Sequence, residues 1–188
     1  MRYFICLIIG AALAYAFIHY YDNTLSDNQE PQVLHSGLAH YGKETLSSLK
    51  SNGLVTLEGT TIRGVLDVNG KLEAQEATIG SLDVNGAVNL TNCQVKGKSK
   101  INGFVNATKT TFYDEFNAAS QKIVLNDCTA SSIVVRNIPW IPGSQVIELN
   151  KKSKVEGNIT FESGTGKVIL SEGSVVSGTV TGGEIEKK

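Results

Sequence analysis

From Gly53 onward, apolar and polar residues alternate in short runs. Leu66 and Val68 flank Asp67, and Val88 and Leu90 flank Asn89. Alternation of period two turns one side of an extended segment toward a core and the other toward water. Many runs end at Asn-Gly or a lone Gly, residues that accept the positive φ of a sharp corner. The pattern also recurs. Leu66-Asp67-Val68-Asn69-Gly70 returns 16 residues later as Leu82-Asp83-Val84-Asn85-Gly86, and Ile101-Asn102-Gly103 comes at a further 17. Ile62, Ile79, Val95 and Phe112 form a second series, and Leu72, Val88, Val105 and Ile123 a third. Val155-Glu156-Gly157 and Val176-Ser177-Gly178 return to the theme of Ile62-Arg63-Gly64.

A hairpin at Asn69-Gly70 would satisfy the local signal, but a meander gives no reason for a recurrence every 16–17 residues. A coil does. Each turn sets Val68, Val84 and Ile101 above one another, about 4.8 Å apart, and each rung satisfies its neighbours' backbone groups. The expectation is an all-β, single-stranded β-solenoid over 53–188, with about six or seven rungs. Asn137–Gly143 breaks the register; its two prolines cannot donate to a ladder, so it is expected to bulge out as a loop. Pro139, Trp140, Ile141 and Pro142 are the candidate interaction residues there. The same register aligns Ala77, Cys93, Thr110 and Cys128. The two cysteines then lie two rungs, about 10 Å, apart, beyond the ~7 Å a disulfide permits. They are expected to be thiols or to pair between chains.

Before the repeat the chain changes character. Tyr3 to Tyr21 contains no Asp, Glu, Lys or Arg, comes after Met1-Arg2, and precedes an acidic flank. A run of this length suits a membrane-spanning helix, and the charge order places the body of the chain outside the cytoplasm. Two readings of residues 1–21 stay open: an uncleaved anchor, which leaves the body on the periplasmic side of the inner membrane, or a signal peptide cut after Ala16, which releases it. Residues 22–52 read as a polar linker, with Leu46 and Leu49 spaced for a short helix over Lys43 to Lys50.

With 17 Lys plus Arg against 18 Asp plus Glu, there is no basic field to hold nucleic acid. All three histidines, His19, His35 and His40, precede the repeat, which removes the usual general base from it. Asp67 and Asp83 stack on an outer face, but Lys100 and Asn117 come next in that column, so a solvated face outweighs a metal or acid–base pair. Phe112, Tyr113, Phe116 and Trp140 offer a sugar-stacking platform, set against core filling by the two phenylalanines. The six-residue period of left-handed acyltransferase repeats fails, since steps of six from Ile62 reach Ala74 and Gly80. The sequons at Asn89, Asn106 and Asn158 are explained as corner asparagines. No catalytic residue, cofactor or metal ligand is assigned.

The Ile-x-Gly and Val-x-Gly rungs, the polar tail and the short length resemble bactofilins, bacterial polymer-forming cytoskeletal proteins. The resemblance covers roughly residues 54–181. It implies a right-handed triangular β-helix joining end to end into filaments, with a membrane-binding N-terminal segment. The expected function is a membrane-tethered, non-catalytic scaffold that self-associates or positions cell-envelope partners. The alternative is an exported module binding cell-wall glycan or protein through the Trp140 loop; a polysaccharide lyase or hydrolase fits least.

Overall fold

The computed structural model describes residues 32–139 and 143–188. The apolar segment 1–21, the linker as far as Pro31, and Trp140, Ile141 and Pro142 lie outside the described residues. Within them the chain is a single sheet of 18 strands, and every pairing is parallel. Among the described residues there is no helix, and so none long and apolar enough to cross a membrane.

Each turn of the solenoid lays down three faces. Face I carries Ile62, face II carries Leu66 and Val68, and face III carries Leu72 and Ala74, all buried. On face III the inward column runs Ala39, Val55, Leu72, Val88, Val105, Ile123, Ile147, Val168 and Ile185. Nine turns therefore stand where six or seven were expected. Val68, Val84 and Ile101 are in direct register, as the period requires.

Two features hid the extra turns. The first coil, Gln32–Tyr41, pairs residue for residue with 48–57, so the solenoid begins before Gly53 and includes His35 and His40. Its outward positions carry Leu34 and Leu38, both exposed, which erases the alternation. The short helix expected over 43–50 is instead strand Thr45–Leu46 and the start of strand Ser48–Glu58. Leu46 and Leu49 do share an interior, but a corner at Ser47 brings them there: Leu46 stacks under Ile62 on face I and Leu49 under Leu66 on face II. At the other end the spacing between paired residues stretches. Ile123 and Ile147 are paired across the interruption at 137–145, and Ile147 and Val168 across a second one at 162–165.

Columns of like residues fill the interior, and volume is traded between neighbours. Phe112 and Phe116 stack with centroids 4.7 Å apart, fully buried. Phe112 sits beneath Ala130 on face I, and Phe116 above Ser99 on face II. Each phenylalanine thus has a small residue on one side, with Val95 below Phe112 and Ile133 above Phe116, keeping the core near close packing. Ser99 is buried for its size alone: its hydroxyl has no hydrogen-bond partner.

The corner between faces II and III is built from Asn-Gly. Gly53, Gly70, Gly86 and Gly103 share φ values between +141° and +144°, a region open essentially to glycine. A Cβ on Gly86 would also collide with the carbonyl oxygen of Gly70. The preceding asparagines form a ladder of side-chain amides. Asn69 Nδ2 donates to Asn52 Oδ1 (3.1 Å), Asn85 to Asn69 (2.9 Å) and Asn102 to Asn85 (2.5 Å). In the next coil this position is Ala119. Over that small side chain Arg136 reaches down from the coil beyond, and its guanidinium donates to Asn102 Oδ1 (2.5 Å) and to the Ile101 carbonyl (3.3 Å).

Two substitutions test this account. Gly86→Ala is expected to cost about 3 kcal/mol or more through combined strain and overlap. Gly164→Ala, at φ +73° in open space, should cost about 1 kcal/mol. Urea midpoints monitored by circular dichroism check both; equal losses would discredit the packing of this corner. Ser99→Ala removes an unpaired buried hydroxyl and is expected to raise stability by about 1 kcal/mol.

Candidate functional site

The arm that interrupts the solenoid is tied down at its base. Gln145 is buried, and its Nε2 donates to the Ser120 carbonyl (3.0 Å) and the Arg136 carbonyl (2.8 Å). The Asn137 backbone N–H donates to Glu162 Oε2 (3.2 Å). Ser120 Oγ closes the underlying corner on the Lys122 carbonyl (2.7 Å). Between the arm's descending limb, Asn137 to Pro139, and the Gly103-Phe104 corner lies a groove of about 680 Å³, within the size range of small-ligand sites. Phe104, Ile138 and Pro139 give it apolar walls, and Arg136 and Lys122 line it with cations; no described carboxylate does. Phe104 is 47 % exposed, in an outward position of face III. Lys122 is paired with Glu148 (2.9 Å). Arg136 has its Nε buried without a partner.

The sequence pattern puts the interaction loop here, and Pro139 does border the groove; Trp140, Ile141 and Pro142 lie outside the described residues. Phe104, Lys122 and Arg136 were not anticipated. They are far apart along the chain and belong to no motif; only the coil brings them together.

The other candidates separate. Phe112 and Phe116 are core residues, while Tyr113 is 52 % exposed beneath the Lys96 ammonium, 3.9 Å from the ring centroid. The acidic column is matched by cations: Lys50 to Asp67 (2.8 Å) and Lys100 to Asp83 (3.7 Å). The hydrogen bond to Asp67 and its charge raise the Lys50 pKa. Among the described residues no group of three or more potential ligands could hold a metal ion. Asn158 does serve a corner, accepting from Thr179 N and Oγ1 (3.0 and 3.2 Å). Asn89 and Asn106, by contrast, stand in register on face III itself rather than at corners.

Cys93 and Cys128 are free and buried, with Thr110 between them at the corner joining faces III and I. Thr60, Ser153 and Ser174 occupy the same corner of other coils. The position takes a small residue, a hydroxyl or thiol in most coils, although Ala77 fills it in one and Ser174 Oγ makes no hydrogen bond. Thr110 Oγ1 donates to the Thr108 carbonyl (3.0 Å), Cys93 Sγ to the Thr91 carbonyl (3.3 Å) and Cys128 Sγ to the Asn126 carbonyl (3.3 Å). Burial raises both thiol pKa values, that of Cys128 to about 11. Such thiols are corner donors rather than nucleophiles.

The last coil presents a second surface. Strands Val175–Val176, Val180–Thr181 and Gly183–Lys187 pair only with the coil before them among the described residues. Val176, Val180 and Ile185 continue the inward apolar columns, yet Val176 and Val180 are half-buried and Ile185 is 49 % exposed, and Lys187 stands over Leu170. Lys167 clasps this coil through Glu184 (3.4 Å) and Glu186 (3.1 Å), and hydrogen bonds to Glu186 and Glu184 raise its pKa.

Comparison of the chain with protein-family models, with curated proteins and with solved structures finds no match.

The thiols give a pH test. Because folded Cys128 holds its proton to about 11 against an ordinary 9.0, stability is full below pH 9 and falls as pH climbs from 9 toward 11. The loss is on the order of 2 kcal/mol. Melting temperature against pH reads it, and Cys128→Ser should flatten the decline. Peptide mapping after iodoacetamide at pH 8 should find Cys93 and Cys128 unmodified until urea unfolds the chain; labelling of the folded protein would contradict their role as inert donors.

Proposed function

We propose that this protein is a membrane-tethered, non-catalytic scaffold that assembles end to end through its coils, in the manner of bactofilins. The observation that carries the reading is the last coil. Its columns keep register to Ile185, and its outer side combines apolar side chains with a ladder edge. An edge of this kind is a template for another strand, and solenoids usually close it with a polar cap. A further coil supplied by a second copy would bury Val176, Val180 and Ile185 and satisfy the open backbone groups. The continuous sheet makes a stiff body for positioning cell-envelope partners. The apolar segment 3–21 supplies the membrane attachment and, by its flanking charges, holds the body outside the cytoplasm; cleavage after Ala16 would release it.

A second reading, an exported binding module, is favoured by the groove beside Pro139, which joins the exposed Phe104 ring to the fixed Arg136 guanidinium.

Electron microscopy and light scattering of the purified full chain test the first reading. Assemblies are expected, and Ile185→Lys, which puts a charge on the open edge, should reduce them to monomers with an unchanged circular dichroism spectrum. A wild-type chain monomeric at high concentration, or a variant that assembles equally well, would defeat it.

A further inference from the structure

We propose that the groove beside the 137–139 arm binds a carboxylated glycan, an acidic pyranose stacking on Phe104 with its carboxylate on Arg136. This gives the second reading a site and a ligand class, and it does not depend on end-to-end assembly, because the groove lies on the solenoid's flank.

Charge comes first. Two cations and no described carboxylate line the groove, and Lys122 is already neutralised by Glu148. The net positive charge is therefore carried by Arg136. Its guanidinium is held in place by Asn102 Oδ1 and the Ile101 carbonyl, and its buried Nε–H has no acceptor. An immobilised guanidinium matches a carboxylate better than a mobile ammonium would.

Shape and surface narrow the class. In its outward column Phe104 stands between Ala87 and Lys122, and its half-exposed ring faces water at a cost no packing explains. Ile138 and Pro139 make the opposite wall. A flat apolar ring face, with the side-chain amides of Gln121 and Asn137 at the border, suits the CH face and hydroxyls of a pyranose. An extended peptide would need a free ladder edge. The floor offers none, because strands Val105–Thr108 and Lys122–Asn126 are paired on both sides.

The test titrates the full chain calorimetrically with a galacturonic acid hexasaccharide, its fully methyl-esterified counterpart and a hexaglutamate peptide. The acidic hexasaccharide is expected to bind, and the ester about tenfold or more weaker, since esterification removes the charge and keeps the ring. Phe104→Ala, at an exposed position, should weaken binding about tenfold or more with an unchanged melting temperature. Arg136→Lys, which keeps the charge and loses the planar fork, should fall in the same direction. Equal binding of the ester, or an unchanged Phe104→Ala, overturns the acidic-sugar assignment while leaving a binding module standing. Hexaglutamate binding as tightly replaces glycan with peptide. No binding by any probe overturns the proposal and leaves the scaffold reading untouched.

Discussion

Between the first and last described coils, the backbone groups of the three faces find their partners one coil away rather than nearby in the chain. That constraint governs the rest. A residue has no freedom to choose its neighbours: Val84 lies between Val68 and Ile101 because the ladder puts it there. Side chains can adjust only by size, which is why Phe112 lies against Ala130 and Phe116 against Ser99. Threonine, serine and cysteine interchange at one corner, where Thr110, Cys93, Cys128 and Ser153 each donate to a nearby carbonyl.

Insertions are therefore confined to corners, and one corner absorbs most of them. The Asn-Gly column between faces II and III ends at Gly103. The next coil turns through Ala119-Ser120-Gln121, the coil above it extends into the arm, and the one after turns through Ser163-Gly164-Thr165. Once the tight glycine turn is lost, chain can leave the body at this position without disturbing a face. The groove and the arm are thus products of the same event. Where the amide ladder ends, Arg136 descends across Ala119 to close it, and that same arginine becomes part of the groove wall.

The solenoid was legible because its interior repeats. Val68, Val84 and Ile101, the two cysteines' shared corner and the arm at Asn137 could all be read from spacing alone. The first coil was not, because Leu34 and Leu38 put apolar side chains outside and Leu46 and Leu49 imitate a helical face. The late coils loosened the period through insertions that leave the pairing intact. The groove was invisible for another reason. Phe104, Lys122 and Arg136 occupy outward positions, where the repeat imposes nothing, and their convergence depends on how many residues each corner consumes.

The asparagine ladder has a direction. In a parallel sheet the backbone dipoles alternate and largely cancel along the coil axis, but the side-chain amides of Asn69, Asn85 and Asn102 all donate toward the lower-numbered coil, ending on Asn52. Their dipoles add. The oxygen-rich terminus of this string meets the positive guanidinium of Arg136, much as a cation completes the C-terminus of a helix. The rod is therefore electrically unsymmetrical along its length, with a head and a tail that a neighbouring molecule could tell apart.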